Sequence, residues 1–232
     1  KRITHAFESR IKAKSLPGVV IRVARQGKLV YSNAIGWQDI ESNIPMSQDS
    51  IFRIYSMTKP IVSVAAMTLV ESGMLSLSDP VSKYLPLFKE VQVGIETVNS
   101  DGLALLQTKK ARKQITIQDL MRHTSGLTYG PFGKKTLVKE KYLAANLRSL
   151  DWTLEDYANT LAGLPLAYEP GSTWDYGRST DVLGRVIEVA SGMTLDRYLS
   201  KTIFTPLRMR DTSFGVPERK HHRVAENMTD IA

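Results

Sequence analysis

Apolar residues recur at every fourth position at the start of the chain, at Ile3, Phe7 and Ile11, and this spacing predicts an amphipathic helix that stops before Pro17. The period then changes. Gly18–Ala24 (GVVIRVA) and Leu29–Gly36 (LVYSNAIG) are β-rich runs with Gln26-Gly27 between them, a hairpin signal. After Arg53–Tyr55 comes a long apolar stretch from about Ser56 to Glu71, predicted as one buried helix ended by Ser72-Gly73. Asp79-Pro80 opens a short helix ending near Pro86, and Gly94 to Lys113 reads as a polar excursion. Thr116 to Arg122 is predicted as a helix capped by Thr116, with Asp119 in its first turn, and Gly126 to Lys135 as a glycine-rich loop. Helices are predicted over Thr153–Leu161, over Ser179–Ser191 with Gly192 ending it, and over Thr194–Leu199. No internal repeat or low-complexity tract interrupts the series.

The order is helix, hairpin, long helix, then a mostly helical region with long connections, which makes the fold class α+β. Residues 1–74 are expected to form the N-terminal part of a sheet domain together with the long helix. Residues 75–232 are expected to form a mostly helical subdomain and the start of a return to the sheet. A lone two-stranded hairpin is marginal in water, and nothing after Asp211 supplies a strong set of strands. The expectation is therefore that the natural protein continues past Ala232, and that the further strands complete the sheet.

Composition narrows the function. The 232 residues are 42% hydrophobic and 23% charged, enough to bury a sizeable core. The longest apolar stretch, Ile61–Val70, is interrupted by Ser63 and Thr68 and falls short of the roughly 18 apolar residues a membrane span needs. The absence of cysteine removes disulfides, thiolate metal sites and a thiol nucleophile together. No H-E-x-x-H pattern or acidic cluster suggests a metal, and no cofactor is expected. The net charge is +8, with basic clusters at Lys109–Lys113 and Arg219–Arg223. These read as solvated faces, because no nucleic-acid-binding pattern accompanies them. The chain starts at Lys1, so the residues fix no compartment.

The chemistry centres on Ser56-Met57-Thr58-Lys59 at the mouth of the long apolar helix. Side chains three apart share a helix face, so the hydroxyl and the amine can meet. The helix start offers unpaired N–H groups and positive potential to an oxyanion formed at a carbonyl that Ser56 attacks. A serine hydroxyl needs a neighbour to take its proton, and an amine partly desolvated by the apolar helix would lose some preference for its charged form. An S-x-x-K alone is common. Here the tetrad follows a hairpin at once, and Ile61, Val62, Ala65, Ala66, Leu69 and Val70 make its helix a buried one.

The stretch IFRIYSMTKPIVSVAAMTLVESGMLSLSDPVSKYLP resembles the serine β-lactamase-related hydrolases. That group embraces class C β-lactamases, D-alanyl-D-alanine peptidases and esterases of the same fold. ITIQDLMRHTSGL (Ile115 to Leu127) and PGSTWDYGRSTDVLGRVIEVASG (Pro170 to Gly192) are similar to the same group and occur in the same order. The SMTKP pentapeptide and the tyrosine segment look closest to the carboxylesterases of β-lactamase fold. The resemblance implies a β-lactamase/transpeptidase-like architecture, an antiparallel sheet flanked by helices with an inserted helical subdomain. It implies Ser56 as the acylated nucleophile, Lys59 as its partner in proton transfer and Tyr176 as the general base or its helper. A phenol near an ammonium ionises more easily, so that role is chemically sound. The substrate implied is a small ester or amide, with a short-chain carboxylic ester preferred.

Two departures qualify the resemblance. Where β-lactamases and peptidases carry Tyr-x-Asn, this chain has Tyr176-Gly177-Arg178, so the amide that would contact an acylamide side chain is replaced by Arg178. The third motif (K-T-G, H-x-G or W-G-G) does not occur, and Lys135-Thr136 is followed by Leu137. Tyr129, beside the glycine-rich loop, is placed at the pocket by position, and Tyr129 and Arg178 are the substrate-binding candidates. A Ser-His-Asp arrangement is the rival chemistry, with His123 its candidate base, but no G-x-S-x-G elbow exists. His123 is expected to be structural. β-Lactamase or peptidase activity, and a penicillin-binding-type scaffold without catalysis, stand as alternatives, though a scaffold needs none of Ser56, Lys59 and Tyr176.

Overall fold

The Gln26-Gly27 turn sets the first sheet. Both residues have positive φ, 49° and 73°, and Arg25 pairs with Lys28 across them, the geometry of a two-residue hairpin that matches strand twist. It joins β1 (Gly18–Arg25) to β2 (Lys28–Asp39), and β2 pairs with the short β3 (Ile44–Pro45) in an antiparallel sheet ordered β1-β2-β3. Before it runs the predicted N-terminal helix, α1 (Arg2–Lys12), which packs on β2 and is tied to it by Thr4 Oγ1 and Tyr31 Oη at 2.9 Å. In the computed structural model, which describes residues 2–147 and 151–226, these elements belong to a unit made of Lys1–Tyr55 and Asp211–Ala232. The late segment closes this unit. Ile51 pairs with Val224 in a parallel bridge, and Gln38 Nε2 donates to the His222 carbonyl at 2.8 Å.

The second unit, Ser56–Arg210, is inserted in the chain between the two halves of the first. Its core helix α2 (Thr58–Glu71) buries Val62, Ala65, Ala66 and Leu69. It ends as Ser72-Gly73 predicts: Met74 N–H donates to the Leu69 carbonyl and Gly73 N–H to that of Val70, with Gly73 at φ 74°. Helices α3 (Ile117–Met121), α4 (Leu137–Ala144), α5 (Leu154–Ala162), α6 (Ser179–Ser191) and α7 (Leu195–Leu199) complete the helical layer. The centre of the core is α6, which buries Val182, Leu183, Val186 and Ile187 and packs against α2, α3, α5 and α7. Thr116 and Thr153 close full capping boxes with Asp119 and Asp156.

Two features depart from the sequence-based reading. The polar excursion holds a hairpin, β4 (Gln92–Val98) and β5 (Ala104–Lys110), whose register runs from Gln92 opposite Lys110 to Val98 opposite Ala104. Only Val93 within it is buried, so the strand pattern was nearly silent. Helix α4 was not foreseen either. It begins at Thr136, whose hydroxyl accepts from Lys139 N–H, directly after the glycine-rich loop. The two units divide between Tyr55 and Ser56, and α2 packs into the helical core beside α6. The basic clusters are largely spent on ion pairs: Lys109 and Arg112 with Glu169, Lys110 with Glu90, and Lys220 and Arg223 with Asp211.

Candidate active site

Ser56 sits in a 3₁₀ turn, Tyr55–Met57, immediately before α2. The preceding residue, Tyr55, has φ 43°, a left-handed conformation that non-glycine residues adopt at a cost. Lys59 follows on the first turn of α2 and its Nζ approaches Ser56 Oγ at 3.4 Å. Tyr176 arrives from the loop before α6 and its Oη donates to Ser56 Oγ at 2.6 Å.

The tyrosine is held by backbone, not by chance. Gly171 N–H donates to the Thr124 carbonyl at 2.8 Å, and Asp175 N–H to the His123 carbonyl at 3.0 Å. The loop thereby lies along the segment that follows α3. Thr124 is fixed in turn by the Asp119 carboxylate, which also accepts from Thr116 and Arg122. Gly177 is pressed against residues 127–128. A Cβ there would stand 2.0 Å from the Leu127 carbonyl oxygen, so no larger residue fits between Tyr176 and Arg178.

His123 borders this loop in a supporting position. Its Nδ1 accepts from Gly177 N–H at 3.4 Å and its ring centroid lies 5.0 Å from that of Tyr176. Burial, reinforced by the Lys59 charge, pushes its pKa below the usual histidine range, and the accepting nitrogen fits a neutral ring. Ser56 hydrogen-bonds to Lys59 and Tyr176, and among the described residues His123 makes no hydrogen bond to it.

The electrostatics divide the roles. Burial works against the Lys59 charge, but hydrogen bonding to Tyr176 and the fields of Tyr129, Tyr176 and Asp181 outweigh it, so its pKa is raised. This reverses the expectation that the amine would lose its preference for the charged form: Lys59 stays an ammonium. For Tyr176, burial acts upward and is outweighed by hydrogen bonds with Lys59 and Ser56 and by the lysine charge, so its pKa is lowered. Of the two groups on Ser56 Oγ, the phenol is the one whose ionisation is made easier and the amine the one whose charge is kept.

Tyr129 and Arg178 complete the cluster. The Tyr129 ring lies 5.4 Å from that of Tyr176 and 5.9 Å from Lys59 Nζ, with the Arg178 guanidinium carbon 4.2 Å from its centroid. All five residues singled out from the sequence thus meet in one place. The sequence reading passed over Asp181, half-buried in the first turn of α6, whose pKa burial raises. Its spacing of three from Arg178 was a usable signal. Trp174 is largely exposed and stacks on Tyr176 at 6.4 Å, while Met57 and Phe132 are other exposed apolar side chains. Among the described residues no group of His, Asp or Glu is arranged to hold a metal ion, and no helix is long and apolar enough to cross a membrane.

A family model described as Beta-lactamase matches residues 3–231. The chain is 35% identical over 221 residues to Esterase EstB of Burkholderia gladioli, covering 94% of this chain and 53% of that protein. It is 32% identical over 213 residues to Lovastatin esterase of Penicillium rubens, covering 90% and 51%. Among solved structures it resembles EstCE1, a hydrolase with promiscuous acyltransferase activity, with a TM-score of 0.80 and 30% identity over 97% of this chain and 55% of that one. The chain spans about half the length of the curated relatives it matches. The α+β fold is of the β-lactamase/transpeptidase type.

Proposed function

This chain belongs to the beta-lactamase family, and from that premise we propose that it acts as a serine hydrolase that cleaves carboxylic esters through an acyl-enzyme on Ser56. The observation that carries the proposal is the 2.6 Å hydrogen bond between Tyr176 Oη and Ser56 Oγ, with the Lys59 ammonium on the same serine oxygen. In its ionised form Tyr176 takes the hydroxyl proton as Oγ attacks the ester carbonyl. The negative charge that develops on the carbonyl oxygen faces the start of α2, where N–H groups lack helical partners. Collapse of the tetrahedral species expels the alkoxide, which takes the proton from Tyr176 and leaves as an alcohol. Water then attacks the acyl-serine, gives its proton to Tyr176, and the carboxylic acid departs as that proton returns to Ser56. Lys59 stabilises the phenolate throughout.

Arg178, in place of the amide, and the exposed apolar side chains of Met57, Phe132 and Trp174 support simple esters over β-lactams. Esterase names among the relatives agree with that preference. The test is active-site labelling and turnover. A fluorophosphonate probe should modify Ser56 alone, and Ser56→Ala should abolish both labelling and 4-nitrophenyl butyrate hydrolysis. The wild type should hydrolyse that ester with a higher kcat/KM than a cephalosporin. Labelling that persists in Ser56→Ala overturns the nucleophile assignment, and a faster cephalosporin overturns the substrate ranking.

A further inference from the structure

Arg178 occupies the N-cap of α6, where its side chain makes no capping hydrogen bond. Helix starts favour Ser, Thr, Asn and Asp, and a cation there opposes the helix dipole. Local energetics therefore give no reason for an arginine. The side chain is nevertheless held in place. Its guanidinium carbon lies 4.2 Å from the centroid of the Tyr129 ring and 5.8 Å from that of Tyr157, so aromatic faces confine it.

What the guanidinium does not do is equally informative. It carries five donors, yet among the described residues it forms no ion pair or hydrogen bond, and its Nε is buried without a partner. The Asp181 carboxyl feels its charge, but among the described residues no hydrogen bond or ion pair joins the two. The result is an oriented cation with unspent donors. It shares the Tyr129 ring with Lys59, whose ammonium contacts Ser56 Oγ. Arg178 is thus one aromatic ring removed from a group in contact with Ser56.

We infer that Arg178 binds a carboxylate carried by the ester, so that the preferred substrate is a monoester whose acyl or alcohol portion bears a second, ionised acid group; this rests on the acyl-enzyme reading above. A planar guanidinium matches a carboxylate with two parallel hydrogen bonds, whereas a neutral carbonyl would leave most of its donors unused.

Two anionic esters test the inference and separate the two positions of the charge. Mono-4-nitrophenyl glutarate has its carboxylate on the acyl side and is compared with neutral 4-nitrophenyl pentanoate. 4-Butyryloxybenzoate has it on the leaving group and is compared with its methyl ester. In the wild type at least one anionic ester should exceed its neutral partner in kcat/KM by about tenfold or more, chiefly through KM. Arg178→Gln should bring that ratio close to one, Arg178→Lys should retain part of it, and Arg178→Glu should favour cationic 4-nitrophenyl 5-aminopentanoate instead. A wild-type ratio near one for both pairs overturns the inference. So does a ratio that survives in Arg178→Gln, because a purely structural arginine would slow charged and neutral esters alike. Calorimetric binding of glutarate to Ser56→Ala, with and without Arg178→Gln, separates this from the hydrolytic reading. Should the wild type hydrolyse no ester, arginine-dependent binding upholds the carboxylate site and discards the hydrolase, whereas arginine-independent or absent binding then overturns both.

Discussion

Ser56 has two polar neighbours with opposite electrostatic tasks, and the pH dependence should display them separately. In the proposed mechanism the competent state pairs ionised Tyr176 with protonated Lys59. The phenol lies below its ordinary 10.0 and the ammonium above its ordinary 10.5, so that state is populated between the two. Rate should therefore rise with pH through the lowered Tyr176 ionisation and fall only above the usual lysine range. Lys59→Met removes the charge that lowers the phenol, so the rising limb of kcat/KM should move to higher pH, with activity at neutral pH falling by about tenfold for each unit of movement. Tyr176→Phe should remove that limb and cost about 10²–10⁴-fold, the usual loss with a general base. An unmoved limb in Lys59→Met, read from a pH series on a well-folded variant, would show that the ammonium is not what tunes the tyrosine. Ser56 and Lys59 stood out in the sequence as an S-x-x-K pair, and Tyr176 through the resemblance of its segment. The direction of the lysine shift was not legible, since it depends on Tyr129, Tyr176 and Asp181 arriving from elsewhere in the chain.

At the scale of elements, the cap of α3 carries more than a helix end. Thr116→Ala and Thr153→Ala each remove one side of a capping box and should each cost about 1 kcal/mol in denaturant unfolding. Asp119→Ala should cost more, about 3 kcal/mol, because Asp119 is buried and accepts from Thr116, Thr124 and Arg122 together. It should also lower ester turnover, since Thr124 holds the loop that delivers Tyr176, whereas Thr153→Ala should leave turnover intact. The pH signature has a definite sign. Hydrogen bonds depress the Asp119 pKa below 3.8 against the upward push of burial. Its contribution is thus present above 3.8 and lost as pH falls through the folded value, and Asp119→Asn should flatten that acid limb. Equal costs for Asp119→Ala and Thr116→Ala would show that the carboxylate serves the cap alone. The caps and the first hairpin could be read locally, from Thr116 with Asp119 and from Gln26-Gly27. The β4–β5 hairpin could not, because β5 (ALLQTKK) has no buried residue and so no alternation to detect. Helix α4 was masked for a related reason: Val138, Lys139 and Tyr142 are its buried residues, too few for a clear apolar stripe behind GPFGKK.

At the scale of the whole molecule, the two units differ in how the chain makes them. Ser56–Arg210 is continuous, whereas the other unit joins Lys1–Tyr55 to a segment that begins at Asp211. That division is set by where α2 packs, a long-range fact that no local period encodes. The closing contacts are nearly all backbone. Ile51 N–H donates to the Arg223 carbonyl at 2.7 Å, Ala225 N–H to that of Ile51 at 2.8 Å, and Glu226 N–H to that of Gln38 at 3.0 Å. Arg223 adds bonds to the Asp49 carbonyl and the Asp211 carboxylate. A chain ending at Arg210 would expose these groups of Gln38, Asp49 and Ile51 and leave β1–β2–β3 with α1 as its covering helix. A small sheet with so little covering is marginal. Amide hydrogen exchange of the truncated chain should show β1 and β2 losing protection while α2 and α6, whose buried faces share the core of the continuous unit, keep theirs. Uniform loss across both units would mean instead that the two unfold as one cooperative body, and unchanged protection in β1 and β2 would mean that the late segment adds nothing to the first sheet.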